Sequence, residues 1–194
     1  MKKKTLAVLL SATLVTSSTT TVFAKDITVT IPNYASDEGN SNLPEAAETV
    51  TNSDGSTSYT LDKKQQKKWK KYLKSSFDDS IKEILDDDEN YPNVEDITYN
   101  DDMTEFEISF ASSDLAPSEY FIGFLPLFIA PVYQQVNGIA EKDVDYTLAV
   151  KDSSDGSETT QTYEENKSDW ESFEASMGGT SSDDVNNTSS SETK

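Results

Sequence analysis

Residues 120–133, YFIGFLPLFIAPVY, carry no charge in a 194-residue chain whose formal charge is −20. Fourteen uncharged, mostly apolar residues in so acidic a chain have one stable place, the interior. Two prolines limit how they enter it. Pro126 and Pro131 lack an N–H, and each ring crowds the preceding turn, so a straight helix over the whole run is disfavoured. Asn137-Gly138 supplies a stop. The flanking segments must cover this run.

Their periodicities say how. Ile27, Val29 and Ile31 alternate in a strand ended by Pro32. Ser53-Asp54-Gly55-Ser56 is a turn signal, and Thr57 to Leu61 forms a second strand. Asp62 with Gln65 three residues on is a capping-box pattern, followed by apolar residues at 69, 72/73, 77, 81 and 84/85. That spacing predicts a helix over 62–85. Ile97 and Tyr99 alternate before Asn100-Asp101-Asp102, and Phe106, Ile108 and Phe110 alternate after it, a hairpin over 94–110. Ser112 to Asp114 with Pro117 offers a start for the apolar helix. Val144, Tyr146, Leu148 and Val150 alternate, Ser154-Asp155-Gly156 turns the chain, and Thr159 to Tyr163 returns. Ser168 to Met177 is a candidate short terminal helix with Trp170 and Phe173. The order β-β-α-β-β-α-β-β predicts an α+β fold: an antiparallel sheet of about six strands covered by two helices. SDGS at 53–56 and again at 154–157 each precede a Trp by the same offset, at Trp69 and Trp170. Common turn chemistry accounts for this echo as well as duplication does.

The ends read differently. Met1-Lys2-Lys3-Lys4, a short apolar stretch and Val22-Phe23-Ala24 have the pattern of a signal peptide over 1–24, cleaved after Ala24. The apolar stretch is shorter than the ~20 residues a membrane span needs. Residues 25–176 read as one domain with a polar loop at 33–56, and residues 177–194 as a disordered tail. Sixteen lysines less the three of the leader leave 13 against 36 acids, a charge of −23. Such a field repels nucleic acid and anionic membrane.

Composition removes most catalytic chemistry. The chain has no Cys, His or Arg. A thiol nucleophile, disulfide, imidazole base, thiolate or imidazole metal site and guanidinium clamp are therefore impossible. No cofactor is expected. Carboxylate-pair hydrolysis needs none of the missing residues, but no spacing singles out a pair among 36 acids. Acidic clusters at 86–89, at Asp101-Asp102, and at Asp152 with Asp155 read as solvated turns or as a weak calcium site. Trp69, Phe106, Phe110, Phe124 and Phe128 read as core, and Tyr34 and Tyr91 lie in loops.

The most concentrated feature is a lysine stripe. Lys63, Lys64, Lys67, Lys68, Lys70, Lys71 and Lys74 fan around one face of the predicted helix. The face is either simply solvated or a docking surface for an anionic partner, with Lys63, Lys67, Lys70, Lys71 and Lys74 as the candidate contacts. An anionic cell-wall polymer or an extracellular protein is the expected partner.

Taken together, ITVTIP at 27–32, SDGSTSYTLDKKQQKKWKKYLKSSFDDSIKEIL at 53–85, YPNVEDITYNDDMTEFEISF at 91–110, VYQQVNG at 132–138 and VDYTLAVKDSSDG at 144–156 carry a resemblance. They resemble a family of secreted proteins and lipoproteins of Gram-positive bacteria, many of them gut or oral anaerobes. It spans about 130 residues, and YNDDMTEF is its most specific piece. The family has no assigned activity, so the resemblance implies an extracellular location and no site residues. Relatives that resemble lipoproteins have a lipid-bearing Cys. This chain lacks it, which argues for release rather than anchoring. The expectation is a secreted, non-catalytic binding module. The alternatives are a calcium-dependent extracellular module and a carboxylate-based, glycosidase-like enzyme.

Overall fold

Asp62 starts the longest element. In the computed structural model, which describes residues 26–33 and 43–176, its carboxylate accepts from the Lys64 and Gln65 N–H groups at 2.7 and 2.8 Å. The Gln65 side chain accepts from the Asp62 N–H at 2.9 Å and closes the capping box. Helix α1 runs Lys63–Leu85 and buries Trp69, Leu73, Phe77, Ile81 and Ile84, the stripe its spacing predicts. The predicted signal peptide and C-terminal tail lie outside the described residues.

The strands form two sheets. Strands β1 (Ile27–Ile31), β2 (Glu48–Thr51) and β3 (Thr57–Leu61) make a three-stranded antiparallel sheet in the order β1-β3-β2. Strands β4 (Val94–Tyr99), β5 (Glu105–Phe110), β6 (Thr147–Asp152) and β7 (Ser157–Thr162) make a second sheet in that order. The single sheet of about six antiparallel strands is thus corrected to two sheets of three and four. The extra strand is β2, which lies inside the expected polar loop; all four of its residues are exposed, so no alternation marks it. The pairing of β5 with β6 is parallel, Glu105 against Thr147 through Phe110 against Asp152. Alternation reports burial and says nothing of strand direction. A parallel neighbour needs a long crossover, and here the apolar run supplies it.

That crossover is in two pieces. A 3-10 turn covers Glu119–Phe124, and helix α2 follows over Leu125–Val136 with Pro126 in its first turn and Pro131 inside. The expected start at Ser112–Pro117 is not used; the chain there is a loop. Glu119 closes that loop instead. Its carboxylate is fully buried and accepts from the Asn93 and Ala116 N–H groups, both at 2.6 Å, and from the Asn93 side chain at 2.9 Å.

Helix α2 joins the two sheets through adjacent glutamines. Gln135 accepts from the Thr30 N–H at 2.8 Å and donates to the Thr30 carbonyl at 3.1 Å, so its amide pairs with β1 as a neighbouring strand would. Gln134 donates to the Met103 and Asp145 carbonyls at 2.8 and 2.7 Å, and its carbonyl accepts from the Asp145 N–H at 3.2 Å. This grip explains why β6 begins at Thr147, although Val144 and Tyr146 are buried as their alternation predicts.

A third helix, α3, covers Tyr163–Ser176, earlier and longer than the expected 168–177. Thr162 and Glu165 begin it: the Glu165 carboxylate accepts from the Thr162 N–H at 2.8 Å. The SDGS echo therefore falls on equivalent turns. Gly55 and Gly156, at φ of 84° and 74°, close the β2–β3 and β6–β7 hairpins, and each hairpin runs into a capped helix. Among the described residues, no helix is long and apolar enough to cross a membrane.

Candidate lysine docking face

The N-terminal half of α1 holds the seven lysines of the stripe, with no acid in its first turn. Its C-terminal half holds Asp78, Asp79 and Glu83, with Asp86 as C-cap. Charge therefore runs against the macrodipole, which favours anions at the N-terminus and cations at the C-terminus.

The structure divides the lysines into two groups. Lys70 donates to Asn137 Oδ1 at 2.7 Å, and its ammonium lies 5.4 Å from the Tyr133 ring centre. Lys74 is half-buried, donates to the Tyr99 hydroxyl at 3.2 Å, and lies 4.6 Å from the Tyr99 ring centre. It also pairs with Asp101 at 3.5 Å, while Tyr99 donates to Asp78. The hydrogen bond to Tyr99 holds the Lys74 ammonium above its usual pKa, with Asp101 and Asp78 adding to it against a smaller effect of burial. Lys63, Lys64, Lys67, Lys68 and Lys71 are exposed and have no ion pair among the described residues. Two of the expected contacts, Lys70 and Lys74, are thus engaged within the chain. Lys64 and Lys68 join Lys63, Lys67 and Lys71 as free cations. At 1.5 Å of rise per residue, Lys63 to Lys71 span about 12 Å along the helix.

The acidic clusters hold turns. Asp87 accepts from the Asn90 N–H and side chain at 3.1 and 2.8 Å, and those bonds depress its pKa. Asp152 accepts from Ser154 and Asp155 from Ser157, and Asp86 pairs with Lys82 one turn back. At the β4–β5 tip, Asn100 Oδ1 accepts from the Thr104 and Glu105 N–H groups at 2.9 and 3.3 Å. Met103 takes a left-handed φ of 52° with its side chain fully buried, which gives the NDD-x-TEF segment its shape. A cleft of about 580 Å³ opens between this tip and the end of α2, with Asp102, Asp143 and Asp145 among its walls. Among the described residues, no three Asp or Glu side chains form a set that could hold a metal ion.

The aromatics divide as well. Trp69, Phe106 and Phe110 are buried as expected, and the Trp69 indole donates to the Pro44 carbonyl at 2.8 Å. Tyr91 packs against the core, and Tyr34 lies outside the described residues. Phe124 and Phe128 are corrected: they are only half-buried and belong to a separate aromatic cluster against α3. That cluster has no marker in the chain, because its two halves are some 40 residues apart. No protein-family model, no curated protein and no solved structure matches the chain.

Proposed function

We propose that the protein is a secreted, non-catalytic binding module that docks an anionic polymer of the cell wall through Lys63, Lys64, Lys67, Lys68 and Lys71. One observation carries the reading. Five exposed cations with no counter-ion among the described residues are gathered at the helix end where positive charge is least favourable, in a chain of formal charge −20. The leader-like residues 1–24 and the resemblance to secreted Gram-positive proteins support the extracellular location, and the absence of Cys argues for release rather than lipid anchoring.

The test replaces all five lysines with Gln and measures co-pelleting with purified cell walls at low salt and at ~0.15 M, where screening acts beyond about 8 Å. Each lysine near an anionic surface contributes about 1 kcal/mol, so pelleting should fall at least tenfold, and wild-type binding should weaken with salt. Pelleting that ignores the substitutions sinks the reading. Protein recovered from the medium should begin at Lys25.

A further inference from the structure

A second surface is built from aromatic rings. On the 3-10 turn and α2, Phe121, Phe124 and Phe128 face Trp170 and Phe173 of α3. Ring centres lie 5.2 Å apart for Phe121–Phe173 and Phe124–Trp170, and 5.1 Å for Phe128–Trp170. None of the five belongs to the main buried core, which is formed by α1, α2 and the inner sheet faces. Phe121 is 44% exposed and its neighbour Tyr120 62%, two of the four large hydrophobic residues left exposed among the described residues. The Trp170 indole N–H is buried with no acceptor among the described residues. Tyr120 and Phe121 are the exposed edge of a half-buried ring cluster, and an apolar edge of this kind is a surface a partner covers.

Charge selects what covers it. Residues 83–141, which include the whole 3-10 turn and α2, contain no cation. Helix α3 carries Glu164, Glu165, Asp169, Glu171 and Glu174 against Lys167, and Lys167 already lies 3.9 Å from Glu171. Glu174 is one helical turn from Trp170, and Asp169 one turn from Phe173, so carboxylates flank the rings on α3. An anionic bilayer or polymer is repelled here. A partner with apolar side chains on one face and Lys or Arg on its borders is complementary, and its cations can also stack on the rings. We infer that the face formed by Tyr120, Phe121, Phe124, Phe128, Trp170 and Phe173 docks a basic, amphipathic helical segment of another protein. This surface is independent of the lysine face on α1.

The test uses the full-length chain and the peptide LKKLLKLLKKLLKL, followed by tryptophan fluorescence. Trp69 is fully buried and bonded to Pro44, so Trp170 is the reporter. Binding should be saturable. It should weaken at least tenfold in Tyr120→Ser/Phe121→Ser, whose exposed side chains can change without loss of the far-ultraviolet spectrum. The counterpart LEELLELLEELLEL should not bind. Equal affinity in the double variant, or equal affinity for a Ser/Lys peptide of the same charge, overturns the inference, because charge alone then accounts for binding. A shift of the peptide-free Trp170 emission in Met177→Ser/Val185→Ser assigns the face to the chain's own C-terminal segment and also overturns it. So does a dimer in sedimentation velocity that Tyr120→Ser/Phe121→Ser abolishes.

Discussion

Glu119 shows how far one residue can depart from its usual role. Carboxylates are rarely fully buried without partners, and this one is the hub of the loops before β4 and before the 3-10 turn. Burial raises its pKa, but the hydrogen bonds from Asn93, Ala116 and Val94 outweigh that and hold the carboxyl below its ordinary value. The sign follows. A depressed folded-state pKa adds stability above the unfolded value, near 4.3, and that stability is lost as pH falls through the folded value. Glu119→Gln should therefore cost about 1–3 kcal/mol at pH 7 by leaving buried donors poorly paired. In thermal melts the gap between variant and wild type should narrow below about pH 4. A gap that does not change with pH would assign Glu119 a packing role only. Only one of its donors, the Ala116 N–H, is local; Asn93 and Val94 lie some 25 residues earlier, and the burial they bring had no mark in the chain. Asp62, by contrast, was legible, because its partners Lys64 and Gln65 are its neighbours.

At the scale of elements, periodicity located α1, β1, β3 and the β4–β5 hairpin, because each buries one face at a fixed repeat. It missed β2, which buries neither face, and it placed β6 too early, because a side-chain amide on α2 occupies the backbone of Asp145. The lysine face of α1 was legible as a charge run, but which lysines are free was not: Asn137, Tyr133 and Tyr99 arrive from distant elements. Helix α1 also has a measurable electrostatic strain. Exposed cations in a first helical turn cost about 0.3–1 kcal/mol each. Like pairs at i,i+4, such as Lys63–Lys67, Lys64–Lys68 and Lys67–Lys71, cost about 0.2–0.5 kcal/mol. Replacing the five free lysines with Gln should therefore raise stability in urea titrations by about 1–2 kcal/mol while wall pelleting falls. A loss of stability would mean that the acidic remainder of the chain already compensates them.

For the whole molecule, α1 and α2 together make two sheets one body. Trp69 of α1 packs on Tyr59 of one sheet, and Phe77 of α1 on Tyr99 and Phe106 of the other. Helix α2 adds backbone-directed hydrogen bonds. It is the crossover that sets β6 parallel to β5, and its glutamines hold β1 on one side and the Met103 and Asp145 backbones on the other. Gln135→Leu leaves both polar groups of Thr30 without their partner, at about 1–3 kcal/mol for a buried group. Hydrogen exchange should then accelerate in β1 and β3 ahead of β5 and β6; uniform acceleration would show that the sheets are coupled by apolar packing instead. The chain by itself determined much that depends on near neighbours or on summed composition: the charge, the excluded chemistries, the capped helix, the β4–β5 and β6–β7 hairpins, and the burial of most of 126–133, whereas Tyr120 and Phe121 at the start of the apolar run lie exposed rather than in the interior. Tertiary structure alone decided the division into two sheets, the parallel pairing, the pairing-off of Lys70 and Lys74, and the aromatic face against α3. Each of these is a contact between segments far apart in the chain, where burial constrains both partners but neither carries a local mark of the other.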